Sequence, residues 1–131
     1  MTDLLLLDTH VLHWWSAEPE RLSPVATQAL EAAGELAVCD ITWYELAWLA
    51  EHERIDLAVP VLTWLQQLAG QVRTLGVTPA VAATAAALPS SFPGDPADRL
   101  IYATAVQHGC RLVTKDGRLR AHRHPRRITL W

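Results

Sequence analysis

The sequence predicts a three-layer α/β/α sandwich with a mostly parallel central sheet, and three observations carry that expectation. The continuous apolar run Leu4-Leu5-Leu6-Leu7 is bounded by Asp3 and Asp8, as befits a central parallel strand buried on both faces. Short apolar runs then alternate with longer segments that open on helix-start signals, at intervals that leave room for crossovers. No internal repeat or low-complexity linker interrupts this order, and 131 residues read as one domain, 1–131. That length buries a single core without disulfides or a structural metal.

Taken in order, the Leu4–Leu7 strand is followed by a short helix over His10 to Ser16. A second helix opens with Ser23 as N-cap and Pro24 at N1, runs through Val25 to Ala33 and closes at Gly34 in the C′ position. Leu36 to Ile41 reads as a second strand. Thr42-Trp43-Tyr44-Glu45 has capping-box spacing, which starts a helix at Thr42 and carries it to about Glu53. Another helix spans Pro60 to Gly70, and Val72 to Val77 is short and partly β-branched, a third strand. Pro79 leads an alanine-rich helix ending at Leu88, and Pro89 to Gly94 is loop. Asp95 as N-cap and Pro96 at N1 open a helix that Gly109 stops after His108. Arg111 to Thr114 is a fourth strand, Asp116-Gly117 a turn, Arg118 to His122 a brief helix, and Ile128 to Trp131 an edge strand.

Half the residues are hydrophobic and 19% are charged, a globular balance that excludes long disordered tails. Cys39 and Cys110 lie in or beside apolar stretches without CxxC spacing, so both read as reduced, buried thiols. The apolar run at Leu4–Leu7 is too short for a signal peptide or a membrane span and follows Asp3 rather than a basic cluster, which predicts a cytoplasmic protein off the membrane. The net charge of −3 is unevenly spread. Residues 1 to 60 are strongly acidic, with Arg21 and Arg54 their only Lys or Arg, whereas the C-terminal segment gathers Arg111, Lys115, Arg118, Arg120, Arg123, Arg126 and Arg127. A solvated face explains such a segment by itself, but a local basic field also collects phosphates, which makes Lys115, Arg118 and Arg120 candidate substrate contacts.

Ligands of open parallel sheets bind beyond the carboxyl ends of the strands. That rule selects Asp8 after strand one, Glu45 after strand two, Thr114 and Asp116 after strand four, with Asp98 in the first turn of its helix facing the same rim. Each acid has an ordinary explanation. Glu45 and Asp98 are placed at N3, where a carboxylate satisfies free amides and favours the helix dipole by roughly 0.3–1 kcal/mol, and Asp116 suits the Asp-Gly turn. Asp8 resists that reading best, because a carboxylate closing a buried strand is desolvated and no Lys or Arg is near in sequence. Carboxylates converging on one rim are costly without a cation. A bound Mg²⁺ would compensate several at once through hard oxygen ligands, activate a water and orient it in line with a phosphodiester. No Ser or Cys nucleophile with a positioned base is evident.

Four segments carry a resemblance: Leu-Leu-Leu-Asp8-Thr9, Ile41-Thr42-Trp43-Tyr44-Glu45-Leu46-Ala47, Asp95-Pro96-Ala97-Asp98-Arg99-Leu100-Ile101, and Leu112-Val113-Thr114-Lys115-Asp116. Together they resemble the four motifs of PIN-domain ribonucleases, especially VapC-type toxins of type II toxin–antitoxin pairs, and they span nearly the whole chain. The Asp-Pro-x-Asp-Arg segment is the most specific. The resemblance implies that Asp8, Glu45 and Asp98 are the core metal-site acids, Asp116 the fourth, and that Mg²⁺ or Mn²⁺ is the cofactor. It implies supporting roles for Thr9, for Thr114, which would orient a carboxylate or water, and for Asp95 as helix cap or outer-sphere acid. Arg99 is left between a buried ion pair and a substrate contact. An RNA substrate, a homodimer and a cognate antitoxin are also implied. One departure is Pro93, where many relatives place a His two residues before the Asp-Pro pair.

Other residues have competing explanations. Six tryptophans include Trp43 and Trp48 on one helix and Trp64 on the next, which places an antitoxin groove or the dimer seam there, although core packing accounts for most of them. His10 with His13, and His122 with His124, lack the third ligand that zinc requires. A haloacid-dehalogenase-type phosphohydrolase needs a second Asp where His10 stands. A receiver domain needs an Asp closing the third strand, which ends in Thr78 and Pro79. A non-catalytic binding module on the same fold is the remaining alternative.

Overall fold

The structure is a computed structural model and describes residues 3–122 and 126–131; the predicted basic positions Arg123 and His124 lie outside the described residues. Strands β1 (Leu4–Leu7), β2 (Glu35–Cys39), β3 (Arg73–Leu75), β4 (Arg111–Val113) and β5 (Thr129–Leu130) form one sheet in the order β3-β2-β1-β4-β5. Every neighbouring pair is parallel, including the edge strand at Thr129–Leu130. The predicted sheet was mostly parallel; among the described residues it is wholly so.

Helices α1 (Thr9–Ala17) and α2 (Pro24–Ala32), with a 3-10 turn at Pro19–Arg21, connect β1 to β2. Helices α3 (Ile41–Glu51) and α4 (Val61–Ala69) connect β2 to β3, α5 (Pro79–Ala87) and α6 (Pro96–His108) connect β3 to β4, and the single-turn α7 (Gly117–Arg120) precedes β5. The pleat of β1 sorts its leucines between two cores. Leu4 and Leu6 pack with Ile101, Tyr102 and Ala105 of α6. Leu7 packs on the other face with Val11 and Leu12 of α1, Leu30 of α2, Leu46 of α3 and Leu68 of α4, with Leu5 against the same cluster. Leu6 and Leu7 are fully buried, and each contributes roughly 1.5–3 kcal/mol relative to exposure. On the α6 side, α5 packs against α6 rather than the sheet: Val81 and Ala85 meet Ala103, and the small alanines permit that approach.

Local signals explain most boundaries. The Ser23 hydroxyl accepts from the Ala26 amide and the Thr78 hydroxyl from that of Val81. Gly109 ends α6 in the left-handed conformation with φ 60°, the usual place for glycine. Gly34 follows α2 for a different reason. Its φ is not positive; instead its backbone lies against Asp3, so that a Cβ there would stand 2.6 Å from an Asp3 carboxylate oxygen.

The capping-box reading at Thr42 is corrected. Helix α3 begins at Ile41 after Asp40, which makes no side-chain cap, and β2 ends at Cys39 rather than Ile41. Thr42 therefore lies inside the first turn, fully buried, and Glu45 is past N3. The reason is tertiary: the Thr42 hydroxyl is committed to Thr9 across the sheet end, 3.0 Å away. The other differences are small: α1 begins at Thr9, α3 stops at Glu51, and β3 is trimmed to Arg73–Leu75. Among the described residues no helix is long and apolar enough to cross a membrane.

Candidate active site

The chain leaves β1 toward β2 and β3 on one side of the sheet and returns to β4 and β5 on the other. The strand order therefore reverses between β1 and β4, where the diverging crossovers leave a crevice at the carboxyl ends. Asp8 follows β1 and Thr114 follows β4 at that point. The Asp8 amide donates to the Val113 carbonyl at 3.0 Å, which extends the ladder to the rim.

Asp8 caps α1. One carboxylate oxygen accepts from the Thr9 amide at 2.8 Å and the other from the Thr114 hydroxyl at 2.6 Å. Burial nevertheless dominates and pushes its pKa up, with Asp116 adding repulsion against the help of these bonds and of His10. The Thr114 oxygen also accepts from the Asp116 amide at 3.1 Å, so one buried threonine ties Asp8 to the next acid. On the opposite flank the Thr9 hydroxyl donates to Glu45 at 2.5 Å. Since a hydroxyl has one proton to give, Thr42 donates in turn to the Thr9 oxygen. Glu45 is also pushed up, first by burial, then by Asp8 and Asp95.

Asp98 occupies the first turn of α6, where Asp95 accepts from the Ala97 and Asp98 amides at 2.8 and 3.2 Å. Burial, followed by the charges of Asp95, Asp8 and Asp116, raises its pKa from 3.8 to about 7, with Arg118 opposing. Asp116 caps α7 and is shifted down, because the exposed Arg118 side chain grips it.

These acids line one open cleft of about 480 Å³ together with Thr9, His10, Trp14, Lys115 and Arg118. Among the described residues no three His, Cys, Asp or Glu groups close into a finished ligand cage, and four acids face one space instead. That arrangement fits a hard divalent ion. All the donors are carboxylate oxygens, burial and one another's charge raise the pKa of three of the four acids, and magnesium keeps several waters while taking only one or two direct carboxylates.

Residues 5–125 match the family model of the PIN domain. The chain belongs to the PIN-domain family. It is 74% identical to Ribonuclease VapC22 of Mycobacterium tuberculosis over 127 residues, 97% of this chain and 98% of that protein. Among solved structures, this PIN domain is similar to a toxin–antitoxin complex from Klebsiella pneumoniae, with TM-score 0.64 and 25% identity over 86% of each chain. It shares the fold of VapBC2 from Rickettsia felis bound to a promoter DNA fragment, with TM-score 0.65 and 14% identity over 86% of this chain and 88% of that one.

Of the residues the sequence singled out, Asp8, Thr9, Glu45, Asp95, Asp98, Lys115, Asp116 and Arg118 line the cleft of this PIN domain. Thr114 stands beneath it, hydrogen-bonded to Asp8, and Arg120 is not among the lining residues. Neither role considered for Arg99 matches its contacts. Its guanidinium donates to the carbonyls of Ala85, Leu88, Pro89, Phe92 and Pro93 at 3.0–3.3 Å. It knots the loop between α5 and α6 and so anchors the start of the helix that carries Asp98. Trp14, one of six tryptophans that the sequence offered as base-stacking or core residues without choosing among them, lines the cleft. It lies one helical turn beyond His10, and the Lys115 ammonium sits 5.7 Å from its ring centre. His10 meets the same ring in a tilted arrangement, centroids 5.9 Å apart. His13 meets Glu18 at 3.2 Å, and His122 packs edge-on against Phe92 and Tyr102.

Proposed function

We propose that this chain is a divalent-metal-dependent endoribonuclease and the toxin of a toxin–antitoxin pair. The observation that carries the reading is the cleft at the β1/β4 switch point, where Asp8, Glu45, Asp98 and Asp116 arrive from four separated segments. Asp8 and Glu45 hold no Lys or Arg partner among the described ion pairs. Such a site needs a cation, and Asp8, Glu45, Asp98 and Asp116 would hold it. Bound Mg²⁺ or Mn²⁺ supplies Lewis acidity and an activated water for in-line attack on a phosphodiester. The protein supplies position: Thr114 and the Thr9 amide orient Asp8, and the Thr9 hydroxyl orients Glu45. Lys115 and Arg118 stand on the rim to meet phosphates, and Trp14 offers a ring face beside them.

The high identity to a ribonuclease supports RNA as the substrate class, and the toxin–antitoxin complex among the similar structures supports a protein partner. A groove of about 420 Å³ adjoins the acid cleft, lined by Ile41, Tyr44, Trp48 and Leu49 of α3 and by Pro96 and Ala97 of α6. Tyr44 and Trp48 are exposed there, and an antitoxin segment laid in it would end at the acids. A homodimer, the other assembly implied by the family resemblance, is checked by sedimentation.

The test is to incubate the protein with mixed RNA and Mg²⁺ or Mn²⁺, with and without chelator, beside Asp8→Asn. Cleavage that requires the metal and is lost in the variant is expected. Equal cleavage by the variant would reject the carboxylate centre, and no cleavage by either protein would favour a binding module.

A further inference from the structure

The four acids of the cleft are not equivalent, because one side already has a cation of its own. The Arg118 guanidinium reaches Asp116 through two nitrogens, at 3.3 Å to one oxygen and 3.0 Å to the other. The Arg118 amide donates to Asp116 as well, at 2.9 Å. The nitrogen that meets Asp116 at 3.0 Å also lies 3.5 Å from an Asp98 oxygen, so one guanidinium nitrogen stands between the two carboxylates. Asp8 and Glu45, by contrast, are held among the described residues by threonine hydroxyls and a backbone amide. Hydroxyls and an amide leave the charges of Asp8 and Glu45 uncompensated, whereas both oxygens of Asp116 already meet a cationic side chain. Arg118 is two-thirds exposed, at 68%, so nothing in the core holds its side chain in place once a stronger partner arrives.

Resting on the metal-centre reading above, we propose that Arg118 stands in for a second divalent ion between Asp98 and Asp116, so that the RNA-free protein takes one ion. The guanidinium offsets one of the pair's two negative charges without the dehydration cost of another metal. A phosphodiester entering the cleft is a competing bidentate partner for the same guanidinium. Binding of RNA would draw Arg118 from the acids and release Asp116 to the metal side, which couples completion of the centre to the presence of substrate.

The experiment is a Mn²⁺ titration without RNA, read by the free-ion electron paramagnetic resonance signal and by calorimetry. It uses wild type, Arg118→Ala, Asp116→Asn, the double variant, and Asp8→Asn as a control. Circular dichroism checks folding, and Arg118→Gln repeats the test with a longer side chain. Wild type is expected to bind one ion per chain, and Arg118→Ala to bind a second at least about tenfold more tightly than wild type does, because a unit positive charge within a few ångströms is removed. Asp116→Asn should abolish the second ion in the Arg118→Ala background, so that the gain from Arg118→Ala depends on Asp116, the non-additivity that marks coupled residues. Equal stoichiometry and affinity in wild type and Arg118→Ala, or two ions in wild type, overturns the proposal and leaves the metal centre standing. No Mn²⁺ bound by any of the proteins overturns the metal centre, and this proposal with it.

Discussion

Replacing Asp98 by Asn should make the metal-free protein more stable at neutral pH while destroying its activity. Asp98 keeps only 18% of its side-chain surface in solvent, and burial with three acidic neighbours raises its pKa from 3.8 to about 7. Between those values the folded chain holds a proton that the unfolded chain has released, so stability falls as pH rises through the window and the penalty is complete above about pH 7. At roughly 1.4 kcal/mol per unit the full penalty is about 4 kcal/mol. Against it stand the lost helix-dipole benefit, roughly 0.3–1 kcal/mol, and solvent screening at the open cleft, about 1 kcal/mol, the Arg118 contact being already contained in the raised value. A net gain of about 2–3 kcal/mol at pH 8 remains, or about 10 °C in melting temperature for a chain of this size. Thermal unfolding in excess chelator should show Asp98→Asn melting above wild type at pH 8, with the gap closing as pH approaches 4. Excess Mg²⁺ should reverse the order, because only wild type gains binding free energy. A variant that melts at or below wild type at pH 8 in chelator refutes the claim that these acids are strained without a cation.

Thr9→Val keeps the shape of the side chain but leaves Glu45 and the Thr42 hydroxyl without their partner. It should cost about 1–2 kcal/mol in denaturant unfolding and weaken Mn²⁺ binding, with Thr9→Ser restoring both. Arg99→Ala removes five hydrogen bonds to carbonyls of the α5 end and the loop after it and should destabilise the fold by about 3 kcal/mol. Limited proteolysis should then cut the loop between α5 and α6; Arg99→Lys, lacking the planar fork, should not rescue it. Because Asp8, Glu45 and Asp98 all have raised pKa values, metal ions compete with protons for them. Calorimetric Mn²⁺ affinity should therefore rise between pH 6 and 8, and a flat profile would count against these ligands.

The helices that announced themselves locally were the ones placed well. Ser23-Pro24, Thr78-Pro79 and Asp95-Pro96 each combine a cap with a proline at N1, and α2, α5 and α6 all begin there. Thr42 carried an equally good local signal and was misassigned, because its hydroxyl makes a contact 33 residues away in sequence that no local pattern contains. Arg99 was legible as important but not in its role, since its five acceptors belong to the end of α5 and to a loop whose path depends on how α5 packs on α6.

Composition and periodicity by themselves determined the layering, since an apolar run such as Leu4–Leu7 loses free energy unless both its faces are covered. They also determined which acids end up at strand or helix ends, because turns, caps and strand ends are chosen over a few neighbouring residues. The strand order was decided only by the tertiary structure, through long-range pairing in which β1 takes β2 on one side and β4 on the other. That pairing turns Asp8 and Asp116, about a hundred positions apart, into neighbours that raise or lower one another's charge, and it sets Arg118 between Asp98 and Asp116. Side-chain electrostatics falls off over ångströms, and distances of that kind exist only after the chain has packed.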